Sequence, residues 1–186
     1  MNRPLRRKLE NLVLAFLDTH KTGKAYADVT RVTGGGTTLA DEIALDAGGT
    51  PEPTAEPSTP FLAVQAEITP DADLPGVAAV QIILHLKTDG TEEDAQRNAT
   101  DAILRDLLDV LIQPPDDNAA FTDANKEFAA LRTFANKPGG SDTRPTYRKP
   151  LHVYNLWLQS TPNAFDGDHW HDQIILAGHA QDMDDS

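Results

Sequence analysis

The sequence predicts an α+β fold, in which a mostly antiparallel sheet packs against an N-terminal helix, a long central helix and a shorter third helix. Segments with apolar residues at helical spacing are interspersed with segments in which apolar and polar residues alternate one by one. The order of these segments is helix, strands, helix, helix, strands, which differs from the regular strand–helix alternation of parallel sheets. With 186 residues and no internal repeat, residues 1–186 are expected to form a single domain.

The first helix is predicted over residues 4–19. Its sequence, PLRRKLENLVLAFLDT, has apolar side chains at steps of three and four, which form one stripe. Pro4 suits a first helical turn, and Gly23 suits the end of the helix. Glu10 precedes the apolar run LVLAFL and no small-residue cleavage site follows it, so we expect an amphipathic helix rather than a signal peptide.

A strand is predicted at residues 26–33, followed by a long Gly/Pro-rich loop at about 34–60. This loop has five glycines and four prolines in 27 residues, with a short strand expected at 42–45. Loops of this length are uncommon inside a compact domain and are usually functional or flexible. The GGGTT run lacks the lysine and the strand–loop–helix setting of a phosphate-binding loop, so no nucleotide site is predicted.

Two strands and the long central helix follow. Strands are predicted at 61–68 and 77–87, and the central helix at 92–112, with acidic residues in its first turn that complement the helix dipole. The second strand alternates in a half-buried pattern. Its inward residues are Val80, Ile82, Leu84 and Leu86. His85 belongs to the polar face, where we expect it to be solvated.

The C-terminal part supplies a third helix and the closing strands. The third helix is predicted at about 119–134, and a second loop at 137–149. Strands are predicted at 151–159 and 169–180. A flexible acidic tail is expected at about 181–186, because chain termini without packing are usually mobile.

Composition excludes several classes of function. The chain has no cysteine, which excludes disulfides, thiolate metal sites and cysteine nucleophiles. The formal net charge of −13 repels nucleic-acid phosphates and anionic membranes. The longest apolar stretch is far shorter than the ~20 residues of a membrane-spanning helix, so no membrane partner is expected.

The stretch FDGDHWHDQ, residues 165–173, is the strongest candidate for a functional site. On a strand, His169 and His171 share one face, so both side chains are able to reach one metal ion. His179 shares that face but lies roughly 26 Å further along an extended strand. The other candidates for a third ligand are Asp166, Asp168, His152 and His85.

No credible third ligand lies within reach of His169 and His171 in the local sequence. We therefore predict that they are polar residues of an exposed strand, and we assign no metal, cofactor or catalytic residue. Trp170 faces the other way, and its side is expected to be packed together with Ile174 and Leu176. The histidine side is expected to be wet or turned toward another subunit. Neither a nucleophile elbow nor an HExxH motif is present, so the chain is not predicted to be an enzyme.

Charge is distributed unevenly along the chain. Arg3, Arg6, Arg7 and Lys8 precede the first acidic residue, whereas residues 165–186 contain six aspartates and no lysine or arginine. One interpretation is that the basic start and the acidic end meet across a subunit boundary. The alternative is a solvated helix face and a disordered tail.

Five segments define the layout of the chain. An amphipathic helix leads through a loop to a strand that begins at a Pro-Phe pair, in PFLAVQAEI. A further strand runs through a charged turn into a long helix, in VQIILHLKTDGTEEDAQRNATDAILRDLL, and the chain closes with LHVYNLWLQ and WHDQIILAGHA. This layout spans most of the chain and resembles that of the tail-terminator, or tail-completion, proteins of long-tailed bacteriophages.

The resemblance implies a structural protein without enzymatic activity. Such proteins form a homo-oligomeric ring, typically a hexamer, which caps the tail tube and joins it to the head/neck complex. The implied partners are copies of the chain itself, the tail tube protein and a neck or connector protein. DNA passes through the lumen without specific binding, because an acidic lumen repels its phosphates.

The resemblance also implies a location and leaves alternatives open. The protein is expected in the virion tail or neck, after assembly in the bacterial host cytoplasm. The loops at 34–60 and 137–149 are then expected to contact neighbouring subunits or partners. The alternatives are a neck or head–tail connector protein, or a metal-binding protein that uses His169 and His171.

Overall fold

The described part of the chain forms four helices and six strands. The computed structural model describes residues 4–50, 56–74, 76–90, 94–112, 128–136 and 151–182. The helices are α1 (Leu5–Thr19), α2 (Leu39–Asp46), α3 (Asp94–Ile112) and α4 (Ala129–Ala135). The strands are β1 (Thr30–Thr33), β2 (Phe61–Pro70), β3 (Val77–Asp89), β4 (Leu151–Ser160), β5 (Asn163–Phe165) and β6 (His169–Asp182).

All six strands belong to one sheet. Its order is β1-β2-β3-β6-β4, and the short β5 also pairs with β6. The pairings are antiparallel except that between β1 and β2, which is parallel. The prediction of an α+β fold with a mostly antiparallel sheet is therefore confirmed.

The helices pack on one face of the sheet. On β3 the inward residues Val80, Ile82, Leu84 and Leu86 are all buried, as the alternation of the sequence predicts. They belong to one apolar cluster that also contains residues of α1, α3 and α4. Burying each such side chain contributes about 1.5–3 kcal/mol, so this shared core holds the helices on this face.

The basic start of the chain meets acidic residues of the same chain. In α1, Lys8 is fully buried, and its Nζ lies 2.9 Å from both carboxylate oxygens of Asp182 at the end of β6. Arg6 pairs with Glu10 one turn later, and Arg7 pairs with Glu42. For Lys8 and Asp182, basic start and acidic end thus meet within one chain, where they join α1 to β6, rather than across a subunit boundary as the first interpretation expects.

Two predicted elements do not extend over all of their described residues. The strand expected at 26–33 begins only at Thr30, because Tyr26 lies in a turn with its ring in the core. The helix expected at 119–134 does not continue through Phe128, which has a left-handed φ of 60°, and α4 begins after it. Residues 119–127, the loop at 137–149 and tail residues 183–186 lie outside the described residues.

A helix, α2, replaces the short strand predicted at 42–45 within the long loop. The hydroxyl of Thr38 accepts the N–H of Asp41, and the carboxylate of Asp41 accepts the N–H of Thr38 at 2.7 Å. This reciprocal capping box starts the helix, and Gly48, at a φ of 86°, follows its end. A short apolar run does not distinguish a strand from a helix, which explains the error.

Candidate functional site: the open face of the sheet

The side of the sheet opposite α1, α3 and α4, here called the open face, carries most of the histidines. Along β3 the inward side chains are buried and the outward ones are half-buried or exposed. The chain has six histidines. Five of them lie at outward positions of β3, β4 and β6, namely His85, His152, His169, His171 and His179.

β6 places His169 and His171 side by side on the open face, as the sequence predicts. Their ring centroids are 6.4 Å apart. Nε2 of His171 lies 2.7 Å from Oδ2 of Asp166, and Nε2 of His169 lies 3.7 Å from Oδ1 of Asp89 on β3. The carboxylate nearest to His171 is therefore that of Asp166, and the carboxylate nearest to His169 is that of Asp89.

Asp166 organises the turn between β5 and β6. Its Oδ1 accepts the backbone N–H of Asp168 at 2.9 Å and that of His169 at 2.7 Å. The hydrogen bond with His171, followed by these two backbone bonds, holds the pKa of Asp166 well below its usual value. The ionised carboxylate thus has both oxygens occupied by the chain's own donors.

One of the third metal ligands considered from the sequence, Asp166, comes near both histidines, because its carboxylate lies 2.7 Å from Nε2 of His171 and 3.9 Å from Nδ1 of His169. Asp168 contributes its backbone N–H to the turn, and His152 lies opposite Gln181, at the far end of β6. In the part of the chain that the structure describes, no group of three or more histidine, aspartate or glutamate side chains is arranged to hold a metal ion. The pair is arranged for hydrogen bonding to carboxylates.

His85 is half-buried, which corrects the prediction that it is solvated. Its Nδ1 lies 3.0 Å from Nε2 of Gln173 on β6, and its Nε2 is buried without a hydrogen-bond partner among the described residues. Burial lowers the pKa of His85, and the charge of His171 lowers it further, against the opposing effect of Glu67. The imidazole is therefore neutral at pH 7.

The opposite side of the same stretch is packed, as predicted. Ile174 and Leu176 are buried in the core, and Trp170 is half-buried. The guanidinium of Arg97, from α3, lies 4.7 Å from the centre of the Trp170 ring and makes two hydrogen bonds of 3.0 Å to the buried carboxylate of Asp172. This side of FDGDHWHDQ therefore joins α3 to the sheet.

A bulge in β4 turns Trp157 onto the open face. β4 pairs Tyr154 with His179 and then Trp157 with Ala177, so β4 contains one extra residue between these pairs. Without that residue, Trp157 would face the core like Val153. The side chain is instead 46% exposed. Sequence reasoning missed this residue.

Two residues make the bulge possible. Asn155 has a left-handed φ of 53°, a conformation that asparagine adopts more readily than most residues. A Cβ on Gly178 of β6 would lie 2.8 Å from Cδ2 of Leu156 and 3.1 Å from the carbonyl oxygen of Asn155, so only glycine leaves room. The asparagine inside LHVYNLWLQ and the glycine inside IILAGHA were the signals in the sequence.

Trp157 borders an open groove of about 530 Å³ on the open face, here called the Trp157 groove. Its lining includes small residues of β3 and β6, such as Ala79, Ala177 and Gly178. His179 also lines it and stacks on Tyr154, with ring planes 13° apart. Polar side chains of β2, β3 and β4 complete the lining, namely Glu67, Thr69, Gln81 and Gln159. The groove therefore crosses the open face from β4 to β2 and has a mixed apolar and polar lining.

A second exposed apolar surface lies on α2. Its one buried residue is Glu42, which accepts hydrogen bonds from Arg7, from Asn11 at 2.8 Å and from Thr37 at 2.8 Å. The apolar side chains of α2 are divided, since Leu39 packs against the core and Ile43 is exposed. The exposed ones at helical spacing, together with the C-cap residue, are here called the α2 stripe and are Ala40, Ile43, Ala44 and Ala47.

Comparison with known proteins gives no family assignment. No family model matches the chain, and no curated protein sequence matches it. Among the helices that the structure describes, none is both long and apolar enough to cross a membrane. Three features of the chain itself bear on its function, namely the histidine pair, the Trp157 groove and the α2 stripe.

Proposed function

We propose that the protein is a structural component of a bacteriophage tail, which forms a homo-oligomeric ring at the end of the tail tube. The observation that carries the proposal is the order of elements in the sheet. A helix is followed by the β2–β3 hairpin, a long helix and closing strands in one mostly antiparallel sheet. This is the layout on which the resemblance to tail-terminator proteins rests, and that resemblance implies a ring that is typically a hexamer.

The exposed side chains support a role in assembly more than a role in catalysis. Four large hydrophobic side chains are exposed among the described residues: Ile43, Leu74, Trp157 and Phe165. Tryptophan is among the residues that most often anchor protein interfaces. Among the described residues, no group of three or more histidine, aspartate or glutamate side chains is arranged to hold a metal ion. The proposed role requires no catalytic residue, cofactor or metal.

The acidic character of the chain supports the proposed passage of DNA. Each copy carries a formal net charge of −13, and a ring multiplies that charge. Because contacts with phosphates need lysine and arginine, an acidic lumen lets DNA pass without specific binding. The remaining proposed partners are the tail tube protein on one side of the ring and a neck or connector protein on the other.

Native mass spectrometry and electron microscopy of the purified chain test this proposal. We expect a closed ring of a single size, with six copies if the ring is a hexamer, which binds the ends of tubes assembled from the tail tube protein. A chain that stays monomeric and also fails to associate with tail tubes would overturn the proposal. A ring that binds the neck protein but not the tube would identify a neck or connector protein.

Metal quantification separates the metal-binding alternative from the proposed function. We expect no stoichiometric metal in the purified protein and none in a His169→Ala/His171→Ala double variant, because His171 is already bonded to Asp166. One transition-metal ion per chain, lost in the double variant, would favour a metal-binding protein instead.

A further inference from the structure

We infer that the Trp157 groove is a binding site for a neutral oligosaccharide, which lies across the strands of the open face. The inference goes beyond the proposed function and does not depend on it, because it concerns a ligand of each copy rather than the assembly of copies. Its basis is the lining of the groove, which combines an exposed aromatic ring, small residues and hydrogen-bonding side chains.

The groove follows two rows of outward residues that run across the sheet. The first row takes one residue from each of β2, β3, β6 and β4, which pair in the order Glu67, Gln81, Ala177 and Trp157. The second row, one pleat further along, pairs in the order Thr69, Ala79, His179 and Tyr154. Adjacent strands lie about 4.8 Å apart, so each row is about 14 Å long. A site of this length has room for more than one sugar ring.

Trp157 provides an aromatic surface on which a sugar ring can stack. The bulge that turns Trp157 outward depends on the left-handed φ of Asn155 and on the absence of a side chain at Gly178. Bulges of this kind often redirect a side chain beside a functional site. The face of an aromatic ring carries partial negative charge, so it attracts the C–H groups on the apolar side of a sugar ring.

The polar side chains of the groove supply both donors and acceptors. Nε2 of Gln81 donates a hydrogen bond to Oε1 of Gln159 at 2.9 Å, which fixes the two amides relative to each other. N–H groups of both amides and the oxygen of Gln81 remain for a ligand. Nδ1 of His179 is buried without a hydrogen-bond partner among the described residues. Hydroxyl groups both donate and accept hydrogen bonds, so those of a sugar match this lining.

The charge of the groove disfavours other classes of ligand. Its described lining contains one carboxylate, Glu67, and no lysine or arginine, which disfavours phosphates and nucleic acid. Glu67 lies about 14 Å from Trp157 along the row, too far for the carboxylate and the ring to hold one cation. A purely apolar ligand would deprive the side chains of Gln81 and Gln159 of hydrogen bonds to water. A neutral ligand with hydroxyl groups and an apolar face fits all three conditions.

The proposed ring does not require this groove. Trp157 is one of four exposed large hydrophobic side chains among the described residues. The inference assigns Trp157 to the ligand and leaves Ile43, Leu74 and Phe165 for contacts between copies. Sugar binding and assembly are therefore expected to respond to different substitutions.

Nuclear magnetic resonance of the full ¹⁵N-labelled chain tests the site. The probes are neutral trisaccharides of hexoses and of N-acetylhexosamines, in α and in β linkage, each titrated to millimolar concentration. We expect at least one of them to shift the amide signals of Gln81, Trp157 and His179. A sulfated trisaccharide should bind more weakly than its neutral counterpart, because Glu67 repels it and the chain is acidic.

Variants of the groove show whether the binding depends on the inferred contacts. Trp157→Ala should weaken binding of that trisaccharide at least about tenfold, as for loss of a stacked ring, whereas Trp157→Tyr should retain part of it. Gln159→Ala should weaken binding without removing the ring. Phe165→Ala is the matched control, because Phe165 is exposed to a similar extent but lies on β5, outside the groove. Circular dichroism checks that all variants are folded.

The outcomes separate this inference from the proposed function. Failure of every trisaccharide in the panel to shift the groove signals would overturn the inference, as would binding that Trp157→Ala leaves unchanged. Groove signals that shift with the tail tube protein and with none of the sugars would assign the groove to a protein contact instead. Native mass spectrometry of the same variants reports on assembly, and a monomeric wild-type chain that binds a trisaccharide would overturn only the proposed ring.

Discussion

At the scale of single residues, the buried carboxylate of Glu42 determines the position of α2. Its partners Arg7 and Asn11 belong to α1, and Thr37 belongs to the preceding turn. A salt bridge of this kind contributes little compared with apolar packing, but removal of one partner leaves the others unsatisfied. Glu42 therefore matters mainly because its absence leaves buried donors without an acceptor.

Glu42→Ala should lower the free energy of unfolding by about 3 kcal/mol, because it leaves the buried Asn11 amide and the Arg7 guanidinium without their acceptor. Urea unfolding followed by circular dichroism measures the change. Glu67→Ala is the matched control, since Glu67 is exposed, and its effect should stay within about 0.5 kcal/mol. Equal effects of the two substitutions would contradict the assignment of Glu42 as the anchor of α2.

His85 should make stability depend on pH. Burial lowers its folded-state pKa below the ordinary value of 6.5, so the unfolded chain takes up a proton first as the pH falls. Stability should thus decrease as the pH drops below 6.5 toward the folded-state pKa. Unfolding measured at a series of pH values, for the wild type and for His85→Gln, isolates this contribution because the other histidines are common to both. Identical pH profiles would show that His85 is not responsible.

At the scale of elements, the long periodic segments were predictable and the short ones were not. α1 and β3 follow their apolar patterns over many residues, so a single period describes each of them. The prediction of a strand at the position of α2 was wrong because Glu42 is buried while Ile43 is exposed, and the periodic pattern does not reveal this arrangement. Its capping residues Thr38 and Asp41 were the better signal.

The candidate site was predictable only in part for a related reason. A period of two correctly places His169 and His171 on one face, because β6 pairs regularly with β3 throughout. The same rule, applied to β4, places Trp157 on the same face as Val153. The bulge makes that placement wrong. Contacts such as that of Gly178 with Leu156 join residues that are distant in sequence, so no local pattern contains them.

Gly178→Ala should destabilise the protein by about 1–3 kcal/mol and disturb the bulge, since a Cβ there would collide with Leu156 and the backbone of Asn155. Thermal unfolding measures the loss, and fluorescence of the exposed Trp157 reports the change in β4. Gly35→Ala is the control, because its nearest neighbour would be 3.7 Å away, in ordinary contact. A Gly178→Ala variant as stable as the Gly35→Ala variant would show that β4 can move without cost.

At the scale of the whole molecule, the sheet is covered on one face and open on the other, and its two edges carry exposed apolar residues. The basic residues of α1 do not provide an alternative means of assembly. Lys8 is fully buried against Asp182, and Arg7 is paired with the buried Glu42. In the proposed ring, apolar contact therefore has to drive association between copies that each carry a formal charge of −13.

The salt dependence of assembly distinguishes association through apolar contacts from association through the basic residues of α1. Raising the ionic strength from about 0.1 M to about 1 M shortens the Debye length from about 10 Å to about 3 Å, which screens the repulsion between acidic copies. Apolar contacts are not weakened by this change, so assembly of the proposed ring, measured by sedimentation velocity, should increase with salt. Assembly that weakens with salt would point instead to a charged contact between the basic start of one copy and acidic residues of the next.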